Sequence, residues 1–209
     1  MIRVITADDH ELIRFGLRRA IEKTPDIEVA DEAHDGRMLI GKLKHAVFDV
    51  LVLDISMPGM DIFDLLGDIK TLAPKMPILI LTVHSEKQYA LRLMKAGVSG
   101  YLQKDCAFSE ILAAIRQVHS GEKYITDDVA GVLAEHLGNR SDRAPHERLT
   151  NREYQVMCRL ASGKSVSEIA DELYISVKTV STHRSHILQK MALENNAQIM
   201  QYAMANGLL

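Results

Sequence analysis

About the first 120 residues alternate short β-rich runs with longer amphipathic stretches, and this strict alternation limits what the chain can become more than any other feature. Strands are predicted near Arg3–Thr6, Ile27–Ala30, Val50–Leu53, Ile78–Leu81 and Gly100–Leu102. Between them, Leu12, Phe15, Leu17, Ala20 and Ile21, or Ile111, Leu112, Ile115 and Val118, recur at spacings that fill one helical face. Strands joined through helices run parallel, so the pattern implies βαβ units and a parallel sheet. In such a sheet ligands gather at the carboxyl ends of the strands, where the strand order reverses.

Downstream the pattern changes. Residues 126–137 fit one more helix, and Gly138–Arg148 shows no apolar periodicity and reads as a flexible linker. Everything after it is helical: Thr150-x-x-Glu153 and Ser165-x-x-Glu168 have the form of capping boxes, and Ser176 is a suitable N-cap for a third helix. The expected division is a first domain over 1–121, a helix and linker over 122–148, and a second domain over 149–209. With 47% hydrophobic and 25% charged residues the chain lacks the charge excess of disorder, and no apolar run approaches the ~18 residues of a membrane span. No basic stretch followed by an apolar core opens the sequence, so the cytoplasm is the expected location. Cys106 and Cys158 lie far apart without a Cys-x-x-Cys or His-rich partner, which argues against a disulfide framework or a zinc site.

Asp8 and Asp9 directly follow the first predicted strand, and Asp54 follows the third. Those ends share one edge of a parallel sheet, so three carboxylates converge from distant parts of the chain. Their repulsion calls for a cation, and an all-oxygen donor set suits Mg²⁺. The fourth strand leads into Thr82, a hydroxyl donor, and the fifth into Lys104, a point charge suited to phosphate. Singly, each has an ordinary explanation: an Asp pair caps a helix, a lysine is solvated, a threonine ends a strand. Jointly, every strand end except the second offers a group that handles phosphate.

Asp8-Asp9-His10, Leu53-Asp54-x-x-Met57-Pro58-Gly59-Met60-Asp61, Thr82, Ala96-Gly97 and Tyr101-x-x-Lys104 together resemble the receiver domain of two-component response regulators. The resemblance implies a flavodoxin-like α/β fold with a five-stranded parallel sheet of order 2-1-3-4-5. It also implies that Asp54 accepts a phosphoryl group from a sensor histidine kinase. Asp9, Asp54 and the Ser56 carbonyl would hold Mg²⁺, with Asp8 nearby through water. Lys104 would pair with the phosphoryl group, and Thr82 would swing to meet it, leaving space into which Tyr101 rotates. Two positions depart from the pattern. Ile62 stands where many receivers have Gly, so a positive φ there would be strained, and Asp105 stands where many have Pro. His84, two residues past Thr82, either orients or hinders the water that hydrolyses the acyl phosphate or is a solvated loop histidine.

Residues 149–209 resemble the NarL/FixJ, or LuxR-type, helix-turn-helix through Leu149-Thr150-x-Arg152-Glu153, Ala161-x-Gly163-x-Ser165, Glu168-Ile169-Ala170, Ile175-Ser176-x-Lys178-Thr179-Val180 and His183. On the helix from about Val177 to Met191, Val180, Ile187 and Met191 form an apolar stripe, and Lys178, Ser181, Thr182, Ser185 and Gln189 project oppositely. That polar face would enter the major groove of promoter DNA, with Lys178, Thr179 and Arg184 on phosphates and Ser181, Thr182 and Ser185 near base edges. Relatives often carry Lys at the position of Ser181, so this chain reads with short hydroxyls or through water. Residues 138–209 hold 9 Lys/Arg against 7 Asp/Glu, a charge of +2 that supplies little phosphate affinity. Useful binding is therefore expected from a homodimer, and the last helix, presenting Ile199 and Tyr202-Ala203, is the expected contact.

The whole reads as a phosphorylation-dependent transcription regulator and not an enzyme beyond its own phosphoryl uptake and slow autodephosphorylation. A transcription factor of the same architecture that works without phosphorylation is the nearer rival. An aspartyl-phosphate hydrolase is the remote one, because such enzymes generally need a second acid two residues after the nucleophile and Ser56 stands there.

Overall fold

The computed structural model describes residues 1–57, 60–83, 87–127, 129–131, 134 and 144–208. The chain forms two compact units, the first built on Met1–Ser85 and Tyr89–Ala130 and the second on Gly131–Leu209.

In the first unit β1 (Ile2–Ala7), α1 (Glu11–Ile21), β2 (Ile27–Ala33), α2 (Gly36–Leu43), β3 (Val50–Leu53), α3 (Ile62–Leu72), β4 (Ile78–Thr82), α4 (Lys87–Lys95), β5 (Gly100–Gln103) and α5 (Phe108–His119) follow one another in sequence. All strand pairs are parallel and the order is β2-β1-β3-β4-β5. The central strands β3 and β4 are buried along their whole length because helices cover both faces of the sheet. Val50 and Val52 join Leu17, Ile21, Ile111, Ile115 and Val118 of α1 and α5 in one buried cluster. Leu51 and Leu53 point the other way, and α2 and α3, in contact with each other, bury Leu39, Leu65 and Ile69.

Strand β2 runs three residues past its predicted end. Asp31 and Glu32 lie beyond the predicted strand, yet the register shifts opposite Val4/Ile5 and pairing continues to Ala33 opposite Ala7. Ion pairs make the polar extension tolerable at this edge strand: Lys42 pairs with Asp31, and Arg18 lies 2.7 Å from Glu32. The anticipated strain at Ile62 does not arise. Asp61 caps α3 by accepting from the amides of Phe63 and Asp64, so Ile62 is simply the first helical residue, with its side chain buried. Gly97 does need to be glycine, since it ends the turn after α4 at φ +88°.

The second unit contains a 3₁₀ turn (Pro145–Arg148), α6 (Asn151–Ala161), α7 (Val166–Glu172), α8 (Val177–Met191) and α9 (Asn196–Ala205). Both capping boxes form, on α6 and α7, and Ser176 caps α8 by accepting from the Thr179 amide. The turn between α7 and α8 passes through Tyr174 at φ +52°, and the Ile175 amide donates to the Ala170 carbonyl. Helix α6 packs on α8 and α9, and α7 packs on α8, around Tyr154, Met157, Ile169, Val180, Ile187 and Ile199. Of the helix expected over 126–137, residues 127, 129–131 and 134 are described and helical. Residues 135–143, with most of the expected linker, lie outside the described residues. Among the described residues no helix is long and apolar enough to cross a membrane.

Candidate functional site

The sheet order reverses between β1 and β3, and there Ala7 and Leu53 are register partners. The residues that follow them, Asp8 and Asp54, therefore emerge side by side, and the Asp54 amide donates to the Ala7 carbonyl at 2.8 Å. One strand pair over, Thr82 faces Gln103, and the Lys104 amide donates to the Thr82 carbonyl at 2.8 Å. The parallel register thus delivers all four groups to one edge.

Lys104 reaches back across this edge. Its Nζ lies 2.8 Å from Asp54 Oδ2 and 2.7 Å from Asp8 Oδ2, with its side chain only 5% exposed. Asp54, 2% exposed, also accepts the Ser56 amide at 3.2 Å. Burial pushes the Asp54 carboxyl above its ordinary range; Lys104 pulls it down by hydrogen bond and charge, Asp8 adds to the upward push, and burial prevails. Asp9 is more open and stands at the rim. Thr82 is buried. Tyr101 is buried as well.

Sequence reasoning gives His10 no role, but its ring is part of this cluster. Nδ1 lies 2.9 Å from Asp9 Oδ1, 3.1 Å from Asp8 Oδ1 and 4.0 Å from Asp54 Oδ2. Ligand-capable atoms of Asp8, Asp9, His10 and Asp54 all fall within 4.8 Å of one another. Three carboxylates against the single ammonium of Lys104 leave an excess of hard, anionic oxygen donors, which fits a small divalent cation such as Mg²⁺. Arg14 is a second residue that the sequence does not single out: its Nη1 donates to the Asp8 carbonyl at 2.6 Å. The only signal for either is position, His10 beside the acid pair and Arg14 one turn further along α1. His84 lies outside the described residues, as do Pro58 and Gly59 of the third loop.

In the second unit α8 carries its stripe as expected. Val180, Ile187 and Met191 are buried, while Lys178, Thr179, Ser181, Thr182, Ser185 and Gln189 are exposed. Several hydroxyls are already engaged. Thr182 Oγ1 donates to the Lys178 carbonyl at 3.0 Å, Ser185 Oγ donates to the Ser181 carbonyl at 3.1 Å, and the Thr179 and Ser176 hydroxyls are 2.8 Å apart. Arg184 is half-buried, and its Nε donates to Asn196 Oδ1 at 2.6 Å, tying α8 to α9. Burial, and then the charge of Arg152, hold His183 below the ordinary histidine range.

The expected contact surface on the last helix needs correction. Ile199 and Ala203 are fully buried, because α9 spends this face on packing against α6. Tyr202 is half-buried with its hydroxyl 2.8 Å from His146 Nδ1. The exposed positions of α9 are Ala197, Gln201, Met204 and Ala205.

Comparison with known proteins divides the chain in the same two parts. Residues 4–116 match the response regulator receiver domain, and residues 147–203 match the bacterial regulatory proteins of the luxR family. The chain is 34% identical to the response regulator UvrY of Escherichia coli K12, covering 100% of this chain and 96% of that one. It is 37% identical to the transcriptional regulatory protein LiaR of Bacillus subtilis 168, over 100% of both. Among solved structures, the RcsB response regulator of Salmonella typhimurium superposes with a TM-score of 0.75 at 28% identity, covering 98% of this chain and 97% of that one. RcsB from Salmonella enterica serovar Typhimurium bound to promoter P1flhDC in the presence of the phosphomimetic BeF3⁻ gives 0.69 at 29% identity, covering 96% and 97%.

Proposed function

This chain belongs to the response regulators that join a receiver to a LuxR-type DNA-binding domain, and on that premise we propose that Asp54 is its phosphoacceptor. The observation that carries the assignment is the buried Asp54 carboxylate held 2.8 Å from Lys104 at the edge where β1 and β3 diverge. The protein is a phosphorylation-dependent transcription regulator. A sensor histidine kinase would present phosphohistidine at this edge. An Asp54 oxygen attacks phosphorus, the P–N bond breaks, and the histidine nitrogen leaves with the electron pair, giving an acyl phosphate. Lys104 is already within reach to pair with a phosphoryl oxygen, and Thr82 is the hydroxyl on the neighbouring strand end.

Asp9, Asp54 and the Ser56 carbonyl are the residues we assign to Mg²⁺, with Asp8 near them. The metal would offset charge on the transferred group when bound. Before transfer, Lys104, paired with both Asp8 and Asp54, keeps the pocket partly neutralised. Afterwards Lys104 can exchange a carboxylate for a phosphoryl oxygen, and with Thr82 and Tyr101 this local change of charge would alter the surface.

For the output, promoter DNA is the partner we assign to the exposed face of α8. Lys178 and Thr179 would address phosphates and Ser181, Thr182 and Ser185 the base edges. Arg184, engaged with Asn196, would act on phosphates only after exchanging that bond. A charge of +2 over residues 138–209 favours binding as a homodimer when active, and α9 offers Ala197, Gln201 and Met204 for contact. The domain limits proposed are 1–121 and 149–209. The deciding test is phosphoryl uptake from acetyl phosphate with Mg²⁺: label on the wild type and none on Asp54→Asn is the expected result. A wild type that takes no label, yet binds its operator, would favour phosphorylation-independent regulation.

A further inference from the structure

Of the five strand ends, β2 alone presents no group to the pocket, yet the structure connects it there through Glu32. Glu32 Oε1 lies 2.7 Å from Arg18 Nε and Oε2 lies 3.4 Å from Arg14 Nε, the two arginines being one turn apart on α1. Arg14 is the more enclosed, its side chain 16% exposed against 46% for Arg18. Its Nη1 donates to the main-chain carbonyl of Asp8 at 2.6 Å. Arg14 also lines, with Thr6, Asp8 and Asp54, a small cavity behind the carboxylates.

We propose that Arg14, oriented by Glu32, is a positioning residue for the acidic pocket that fixes the Asp8–Asp9 peptide and so aims the Asp9 carboxylate at the cation. The argument is one of rotational freedom. Asp8 is held by its amide on the Ala33 carbonyl, by Oδ1 on the His10 amide and by Oδ2 on Lys104. Of these only the His10 bond, which closes a turn through Asp8 Oδ1, spans the peptide plane that follows Asp8, and it leaves that peptide's own carbonyl to Arg14. That plane sets the direction of the Asp9 Cα–Cβ bond, and Asp9 lies at the open rim where packing does little to hold it. A hydrogen bond from a cation to the Asp8 carbonyl restrains the plane. The residue must be arginine, because a planar guanidinium can meet Glu32 through Nε and the carbonyl through Nη1 at once, which an ammonium cannot do in the same geometry.

The inference rests on Asp9 and Asp54 being metal ligands, and the test separates the two ideas. Mg²⁺ is titrated into the unphosphorylated full-length protein by isothermal calorimetry, with thermal unfolding recorded without metal. Arg14→Ala should weaken Mg²⁺ binding by roughly tenfold or more, the scale on which groups that orient metal ligands act. Arg14→Lys should recover part of this, and Glu32→Gln should weaken binding less than Arg14→Ala. Arg18→Ala, which loses the same Glu32 partner but no contact with Asp8, should bind Mg²⁺ within about twofold of wild type. Should Arg14→Ala unfold, Arg14→Lys and Glu32→Gln carry the comparison. If the wild type binds Mg²⁺ and Arg14→Ala, or failing it both other variants, binds equally tightly, the positioning role is wrong. The same holds if Arg18→Ala is weakened as much as Arg14→Ala. A wild type that binds no Mg²⁺ overturns the metal assignment itself, and the inference with it.

Discussion

The buried Asp54 carboxylate should cost the resting protein stability, so Asp54→Asn should make the receiver harder to unfold while removing its acceptor. At an effective dielectric constant of about 20, Lys104 at 2.8 Å attracts Asp54 by about 6 kcal/mol. Asp8 and Asp9, with oxygens within 4.8 Å, each repel it by about 3.5 kcal/mol before solvent screens the more open Asp9. Attraction and repulsion nearly cancel. What is left is desolvation of a carboxylate that is 2% exposed, several kcal/mol in real proteins, of which a neutral amide at the same place escapes only part. Nor does the substitution strand Lys104, which keeps Asp8 at 2.7 Å. A gain on the order of 2 kcal/mol follows, worth about 5–10 °C in the receiver transition. The pH dependence has a definite sign. A carboxyl raised in the folded state binds its proton more tightly there, so its favourable contribution is complete below the unfolded pKa of about 3.9 and is lost as pH rises through the folded value. Circular dichroism melts in EDTA should therefore show the mutant ahead at pH 7 and the gap closing toward pH 4. Mg²⁺ at about 100 times its Kd should return about 2.7 kcal/mol to the wild type and less to the mutant. A mutant that melts below wild type at neutral pH without metal would show that the Lys104 pair outweighs burial, and the reasoning would fail.

Ala192 ends α8 at φ +54° with its side chain exposed, so Ala192→Gly should stabilise the output domain by about 0.5–1 kcal/mol, read by urea unfolding; a loss would contradict the strain argument. Glu153 is buried within the α6 capping box and holds Lys190 Nζ at 2.7 Å; burial raises its carboxyl, but Lys190 and Thr150 lower it further, so the net shift is downward. Its contribution is thus present above the unfolded pKa of about 4.3 and lost as pH falls through the folded value, and Glu153→Gln should flatten the acid limb of output-domain stability in denaturant titrations. On DNA, Lys178→Ala should weaken operator and unrelated sequences alike and lower the salt slope by about one in binding isotherms. Thr182→Ala should instead relax preference at one position of each half-site, costing on the order of 1 kcal/mol, and the reverse assignment of effects would mean α8 is placed wrongly in the groove.

Much of this protein is written locally. The alternation of strands and helices follows from side-chain periodicity, and the capping boxes at Thr150 and Ser165 are short-range hydrogen bonds between residues three apart, so both are visible in one dimension. Asp8, Asp9, Asp54, Thr82 and Lys104 are legible as a set because a parallel sheet obliges residues after its strands to meet at one edge. What sequence cannot supply is partnership across the fold. Asp31 and Glu32 pair with Ile5 and Thr6 in the sheet, and Lys42 and Arg18 come from elsewhere in the chain to offset their charge. Arg14 reads as one more basic residue on an amphipathic helix until the Asp8 carbonyl lies beneath it. Ile199 and Ala203 are as apolar as any interface, and only the packing of α9 on α6 shows that their own domain has already buried them. Periodicity tells which face of an element avoids water; the tertiary structure decides what covers that face, because burial and pairing depend on chain segments brought together only by folding.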